Sequence, residues 1–145
     1  MKKNVEEYSE DQILDMLLET AENLPQATVY IERLDMKLTL RGLTSGKVDS
    51  LKEQCVTRKK VGGRLEEKFD NELFSALIIS NATANIEVKG LKLNGWGDPR
   101  LVSRLKVSGG EQVVRRMLLA GELDAVGDKV LELSGWGVEI EDIKN

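Results

Sequence analysis

The feature that most constrains the fold is a change of apolar period on either side of Pro25. From Ile13 to Leu24, the residues Ile13, Leu14, Leu17, Leu18, Ala21 and Leu24 recur at helical spacing, opposite Asp11, Asp15, Glu19 and Glu22. Beyond Pro25, Val29 and Ile31 alternate with Tyr30 and Glu32, and Met36, Leu38 and Leu40 alternate with Lys37, Thr39 and Arg41. A period of two is the mark of a strand with one buried face, so an amphipathic helix must give way to a hairpin within a few residues. Proline can sit at that exit because it cannot continue the helix. The helix start is legible too: Ser9 with Gln12 reads as a capping box, and Tyr8 with Ile13 as a hydrophobic staple, so the helix should open near Glu10. Its stripe has to be covered by this domain, a sister copy or a partner.

The hairpin of residues 28–41 should turn near Leu34-Asp35, and because an isolated hairpin is marginal in water one face must be covered. Thr44 or Ser45 can cap a helix running to about Thr57, with Val48, Leu51 and Cys55 inward. The segment RKKVGGR at 58–64 reads as a basic surface loop, and Glu66–Ser80 as a helix carrying Phe69, Leu73, Ala76 and Leu77 on one face. Residues 82–97 are extended or an irregular connection. Asp98-Pro99 predicts an N-cap with proline at the first helical position, opening a helix to about Lys106. Ser108 with Glu111 reads as a second capping box, opening a helix that bears Val113, Val114, Met117 and Leu118. Gly121 is expected to close that helix and Glu122 to begin the last one, with Leu123, Val126, Val130 and Leu133 inward and Gly135 as the residue that stops it.

The resulting expectation is an α+β, predominantly α-helical fold: a small antiparallel hairpin near the N-terminus packed with about five helices. A length of 145 residues suits one domain over 1–145, with the acidic helix within 1–24 semi-independent and 44–145 mainly helical.

GWG occurs twice, at 95–97 and 135–137, and Lys89, Leu91 and Leu93 align with Lys129, Leu131 and Leu133 at an offset of 40. The match ends there, short of the three or so units a solenoid needs, and neither copy belongs to a phosphate-loop pattern. The glycines read as punctuation, with each tryptophan packed where the chain turns.

Chemistry is bounded by what the chain lacks. It has no histidine and one cysteine, which excludes a Cys/His metal site, a His-dependent catalytic pair and an internal disulfide. The carboxylates fall at helix starts and on exposed faces, where the macrodipole and solubility account for them. The reading is therefore a protein that is not an enzyme, with no catalytic, cofactor-binding or metal-ligating residue. The first residues meet acids where a signal peptide needs an apolar run, and no apolar stretch is long enough to span a membrane, so a cytoplasmic protein is expected. Charge is unevenly placed. Residues 1–24 and 122–145 each carry two Lys and seven acids, a net of −5, whereas residues 25–121 carry seventeen Lys or Arg and eleven acids, a net of +6. Arg58, Lys59, Lys60 and Arg64 allow a small nucleic-acid-binding regulator as one reading, disfavoured by the overall net charge of −4.

The order VYIERLDMKLTLRGLT, a middle helix, and a C-terminal run LLxGELxxVxxxVLELSGW ending in Lys144-Asn145 resembles the XkdN-like tail assembly chaperones of long-tailed bacteriophages and prophages. The resemblance covers about residues 28–145 and rests on Leu118, Leu119, Gly121, Glu122, Val126, Val130, Leu133, Ser134 and Gly135. It does not extend to RKKVGGR, to NGWG at 94–97 or to the acidic helix. It implies a chaperone that binds the tape measure protein, keeps it soluble and assists tail tube assembly, with the major tail tube protein and a homo-oligomer as further candidate partners. It further implies action in the host cytoplasm and absence from the mature virion; the alternative is a structural tail or connector subunit of the virion. Ile13, Leu14, Leu17, Leu18 and Trp136 are the candidate partner-binding residues, and Gly121, Glu122 and Gly135 the structural motif.

The same resemblance implies a programmed −1 ribosomal frameshift near the chaperone's end. Ile143, Lys144 and Asn145 can be spelled AUA-AAA-AAC, which contains the slippery heptamer A-AAA-AAC. Sequencing the gene should find that heptamer or a close variant with a −1 frame running on; codons that cannot slip sink this expectation.

Overall fold

In a computed structural model of the chain, residues 7–138 are described, and the candidate frameshift residues Ile143, Lys144 and Asn145 lie outside them. Among these residues the fold is α+β, with six α-helices and two antiparallel sheets, of four and two strands. It holds more β structure than a single small hairpin. Helix α1 (Glu10–Glu22) is opened by Ser9, whose hydroxyl accepts from the Gln12 N–H while the Gln12 side chain accepts from the Ser9 N–H. The Asn23 side chain donates to the Glu19 carbonyl at its other end.

The sheet grows from the alternating segment. Strands β1 (Gln26–Ile31) and β2 (Met36–Arg41) pair antiparallel through a short 3-10 turn at Glu32–Leu34, with Asp35 left-handed at φ 49° and held by the Tyr30 hydroxyl at 2.7 Å. Met36, Leu38 and Leu40 are buried. The hairpin does not stand alone: β5 (Thr83–Val88) pairs with β2, and β6 (Leu91–Leu93) with β5, giving the order β1-β2-β5-β6. Residues 82–97 thus supply two strands and a turn, extended because they complete a sheet whose other half lies some 45 residues earlier.

Between β2 and β5 the chain departs from the expected helices. Helix α2 (Ser45–Glu53), capped by the Thr44 hydroxyl, stops before the β-branched pair Val56-Thr57. Strand β3 (Val56–Val61) then turns through Gly62 and Gly63, at φ 57° and 81°, into β4 (Arg64–Phe69). Two central residues with positive φ make the tight hairpin turn that matches strand twist, and only glycine enters it freely. RKKVGGR is therefore the end of a hairpin, not a loop. Phe69 belongs to a strand; the helix expected from Glu66 begins only after Asp70, whose carboxylate accepts from the Leu73 N–H. Val48, Leu51 and Cys55 are all buried, Cys55 just beyond the helix.

That helix, α3 (Asn71–Ala82), is the centre of the core: Ala76, Leu77, Ile78, Ile79 and Ala82 are buried on several sides of it. The sheet, α5 (Gly110–Met117) and α6 (Ala120–Leu133) pack around it, contributing Leu38, Leu40, Ile86, Val113, Val114, Leu123, Val126 and Val130. Two expected helix signals are read differently by the structure. Ser108 and Glu111 form no capping box: Gly109, extended at φ −157°, becomes the cap, and the Ser108 N–H donates to Gln112. Gly121 does not close a helix. The break falls at Leu118-Leu119, where both residues are extended, and Gly121 sits in the first turn of α6.

The two GWG segments play unrelated parts. Gly95–Gly97 follows β6 and leads into Asp98, the cap of α4 (Pro99–Leu105). Trp96 is buried and its Nε1 donates to Thr83 Oγ1 at 2.9 Å, while that hydroxyl donates to the Ile79 carbonyl. Gly135–Gly137 instead ends α6: Gly135 has φ 98°, its N–H donates to Glu132, and the Trp136 N–H donates to Leu131. That pair of bonds is a Schellman cap. Thr83→Val should cost about 1–3 kcal/mol, because it leaves a buried indole N–H without a partner. Denaturant unfolding checks this, with Thr83→Ser near wild type; equal loss in both variants would deny the bond any role.

Candidate partner-binding surfaces

The sequence-predicted residues fall on different surfaces. Ile13, Leu14, Leu17 and Leu18 lie on α1, which has no buried residue. Leu17 and Leu18 are both more than 60% exposed, and Met16 is exposed beside them. The helix is therefore amphipathic, acidic and bare on its apolar side. Trp136 is far along the chain and half-exposed, its ring facing the Lys52 ammonium at 5.6 Å. It is not packed into the core as Trp96 is, because the Schellman turn carries it outward past the end of α6.

A second surface had no single sequence signal. An open groove of about 560 Å³ runs between β1 and α6, lined by Val29, Tyr30, Ile31, Ala125, Val126 and Lys129 together with Arg33 and Glu122 at one end. β1 is an edge strand of the four-stranded sheet, so its outer side has no strand partner. Only the alternation along β1 and the helical spacing of Ala125 and Lys129 could have hinted at it, and neither says that these elements adjoin.

Glu122 is fixed at the groove's end. Its carboxylate accepts from the Leu119 N–H, which caps α6, and from Arg33 Nε and Nη2 at 2.7 to 3.2 Å; Arg33 Nη2 also donates to the Met117 carbonyl. Those bonds, Arg33 first and the Leu119 N–H second, hold the Glu122 carboxyl below its ordinary range. At the far end of α6, the Leu43 N–H donates to Ser134 Oγ, and Gly42 lies against the Leu133 carbonyl where a Cβ would collide with backbone. The motifs ERLD and RGLT thus meet GEL and LSG across some ninety residues.

The third surface is the β3–β4 hairpin, exposed along almost all of its length. It bears Arg58, Lys59, Lys60, Arg64 and Lys68 against Glu66 and Glu67, a net of +3. Arg58 is held by Glu53 and Glu67 at 2.8 and 3.1 Å. Val61, Leu65 and Phe69 are exposed among these charges. Elsewhere, Asp98 is buried and accepts from Arg100 and from the Arg100 and Asn94 N–H groups, which push its carboxyl far below the ordinary range. Burial, then the charge of Asp70, pushes the Cys55 thiol up, away from the reactive thiolate. Among the described residues no cluster of three metal-ligating side chains occurs, and no helix is long and apolar enough to cross a membrane.

The model of the Phage XkdN-like tail assembly chaperone family (TAC) matches residues 14–145, and the chain belongs to that family. The crystal structure of the protein yqbn superimposes with a TM-score of 0.55 at 16% sequence identity, over 79% of this chain and 87% of that one, a likeness of fold. No curated protein matches.

The lowered carboxyls of Glu122 and Asp98 stabilise the fold above the range in which an unfolded Glu or Asp titrates, about pH 4, and that stability is lost as pH falls through their folded values. The thermal midpoint should therefore drop on acidification below about pH 4.5. Glu122→Gln should start lower and lose less over that interval; an identical acid profile would mean that Glu122 contributes nothing.

Proposed function

We propose that the protein binds the tape measure protein of its phage, keeps it soluble before the tail tube encloses it, and is released as the tube assembles. Family membership supports a role in tail assembly. The observation that carries the finer reading is α1: a helix with a complete capping box, a one-sided apolar stripe and no residue buried in its own domain. Such a helix is built to lie against another amphipathic helix, matching apolar residues at i, i+3, i+4 and i+7. A long helical client with exposed stripes has the complementary pattern and aggregates if left bare. Modest affinity for each copy, repeated along a long client, gives firm holding and still allows release one copy at a time. Action before the tube closes places the protein in the host cytoplasm and outside the finished virion. The major tail tube protein is a second proposed partner, met as it polymerises.

Co-expression with the tape measure protein should raise that partner's soluble yield and allow co-purification. Leu17→Glu with Leu18→Glu should abolish both effects while the chain keeps its wild-type circular dichroism spectrum, since neither residue is buried in its own domain. An unchanged client yield with wild-type protein sinks the proposal, and detection of the chain in purified particles favours a structural tail or connector subunit instead.

A further inference from the structure

Two surfaces remain uncovered on the same chain, and they are complementary. Helix α1 carries five acids and no base, a net of −5, around an exposed apolar stripe. The β3–β4 hairpin carries a net of +3 around exposed Val61, Leu65 and Phe69. Their lengths also agree: thirteen helical residues and a six-residue hairpin each extend about 20 Å. Leu65 and Phe69, four apart on β4, fall on one face of the hairpin with Lys60 across from Leu65 and Val56 across from Phe69. A two-stranded hairpin is marginal without a cover, and a helix laid along one face supplies it.

We infer that α1 of one molecule docks on the β3–β4 hairpin of a second copy, with Leu14, Leu17 and Leu18 on the Leu65–Phe69 face and the acids of α1 beside Lys60 on that face and Arg64 at the hairpin's turn. Because each copy has both surfaces, a twofold arrangement forms the contact twice and closes as a dimer. A nucleic acid fits this face less well. Glu67 lies within it, Arg58 across from Glu67 is already held by two carboxylates, and a polyanion gains nothing from Leu65 and Phe69. The inference concerns the client-free protein, and it stands on these two surfaces whether or not the client is the tape measure protein.

The test is light scattering and sedimentation of the full chain over a range of concentrations and salt. The wild type should dimerise, with association weakening as salt screens the charges. Lys60→Glu with Arg64→Glu, both at exposed positions, should raise the dissociation constant about tenfold or more, as should Asp15→Lys with Glu19→Lys. Mixing the two variants should restore association as a heterodimer. Leu65→Ser provides an uncharged variant, should reversal of charge disturb the hairpin, and must weaken the dimer likewise. A wild type that stays monomeric, or a dimer indifferent to all the hairpin variants, overturns the inference; so does hydrogen exchange showing α1 protected in a monomer. Hairpin variants that lose the dimer yet still raise the client's soluble yield separate this contact from the proposed chaperone role.

Discussion

The structure depends on the docking of α6 along the β1–β2 hairpin. Two contacts, one at each end of the helix, fix it: the Arg33–Glu122 pair with its bond to the Met117 carbonyl, and the close approach of Gly42 and Leu43 to Leu133 and Ser134. Glu122 serves both the start of its own helix and the turn of the hairpin, so one carboxylate sets where α6 begins and where it lies. Gly42 matters for a different reason. With no Cβ it lets strand β2 leave the sheet against the helix's last carbonyls, a distance no other residue permits.

With both ends of α6 held, the remaining elements close around α3. That helix is apolar on several sides because the sheet, α5 and α6 each take one of them. Thr83, at the junction of α3 and β5, gives its proton to Ile79 and accepts from Trp96, tying the start of a strand to the loop after β6. No buried side-chain polar atom among the described residues lacks a partner, so the core leaves no unsatisfied group that calls for a ligand. What the fold leaves open is apolar and outside the core: the stripe of α1, the groove beside β1 and the face of the β3–β4 hairpin.

Much of this was legible locally. The capping box at Ser9, the switch to alternation after Pro25, Asp98-Pro99 at the start of α4 and the glycine stop at Gly135 are signals written within a few residues. Even the β3–β4 hairpin had a local signal, VTRKKV-GG-RLEEKF, whose Gly-Gly pair between two six-residue runs specifies a tight turn. It was obscured because Phe69, Leu73, Ala76 and Leu77 happen to share helical spacing across the boundary at Asp70. Residues 82–97 and the cap at Gly109 were different in kind. Their conformation answers to partners elsewhere in the chain, β2 for the one and Ser80 and Gly97 packed against Gly110 for the other.

By itself the sequence determined the class of fold, most helix starts and stops, the absence of histidine chemistry and the family resemblance that the family match bears out, because each rests on neighbouring residues or on composition. Only the tertiary structure decided which apolar residues are core and which are surface. Ile13, Leu17 and Leu18 have the periodicity of buried residues and are exposed, while Trp96 and Trp136, alike in their GWG setting, are one buried and one half-exposed. Periodicity specifies that a face exists; whether anything in the chain reaches it depends on where the other elements pack, and here α6 and α3 are satisfied without α1.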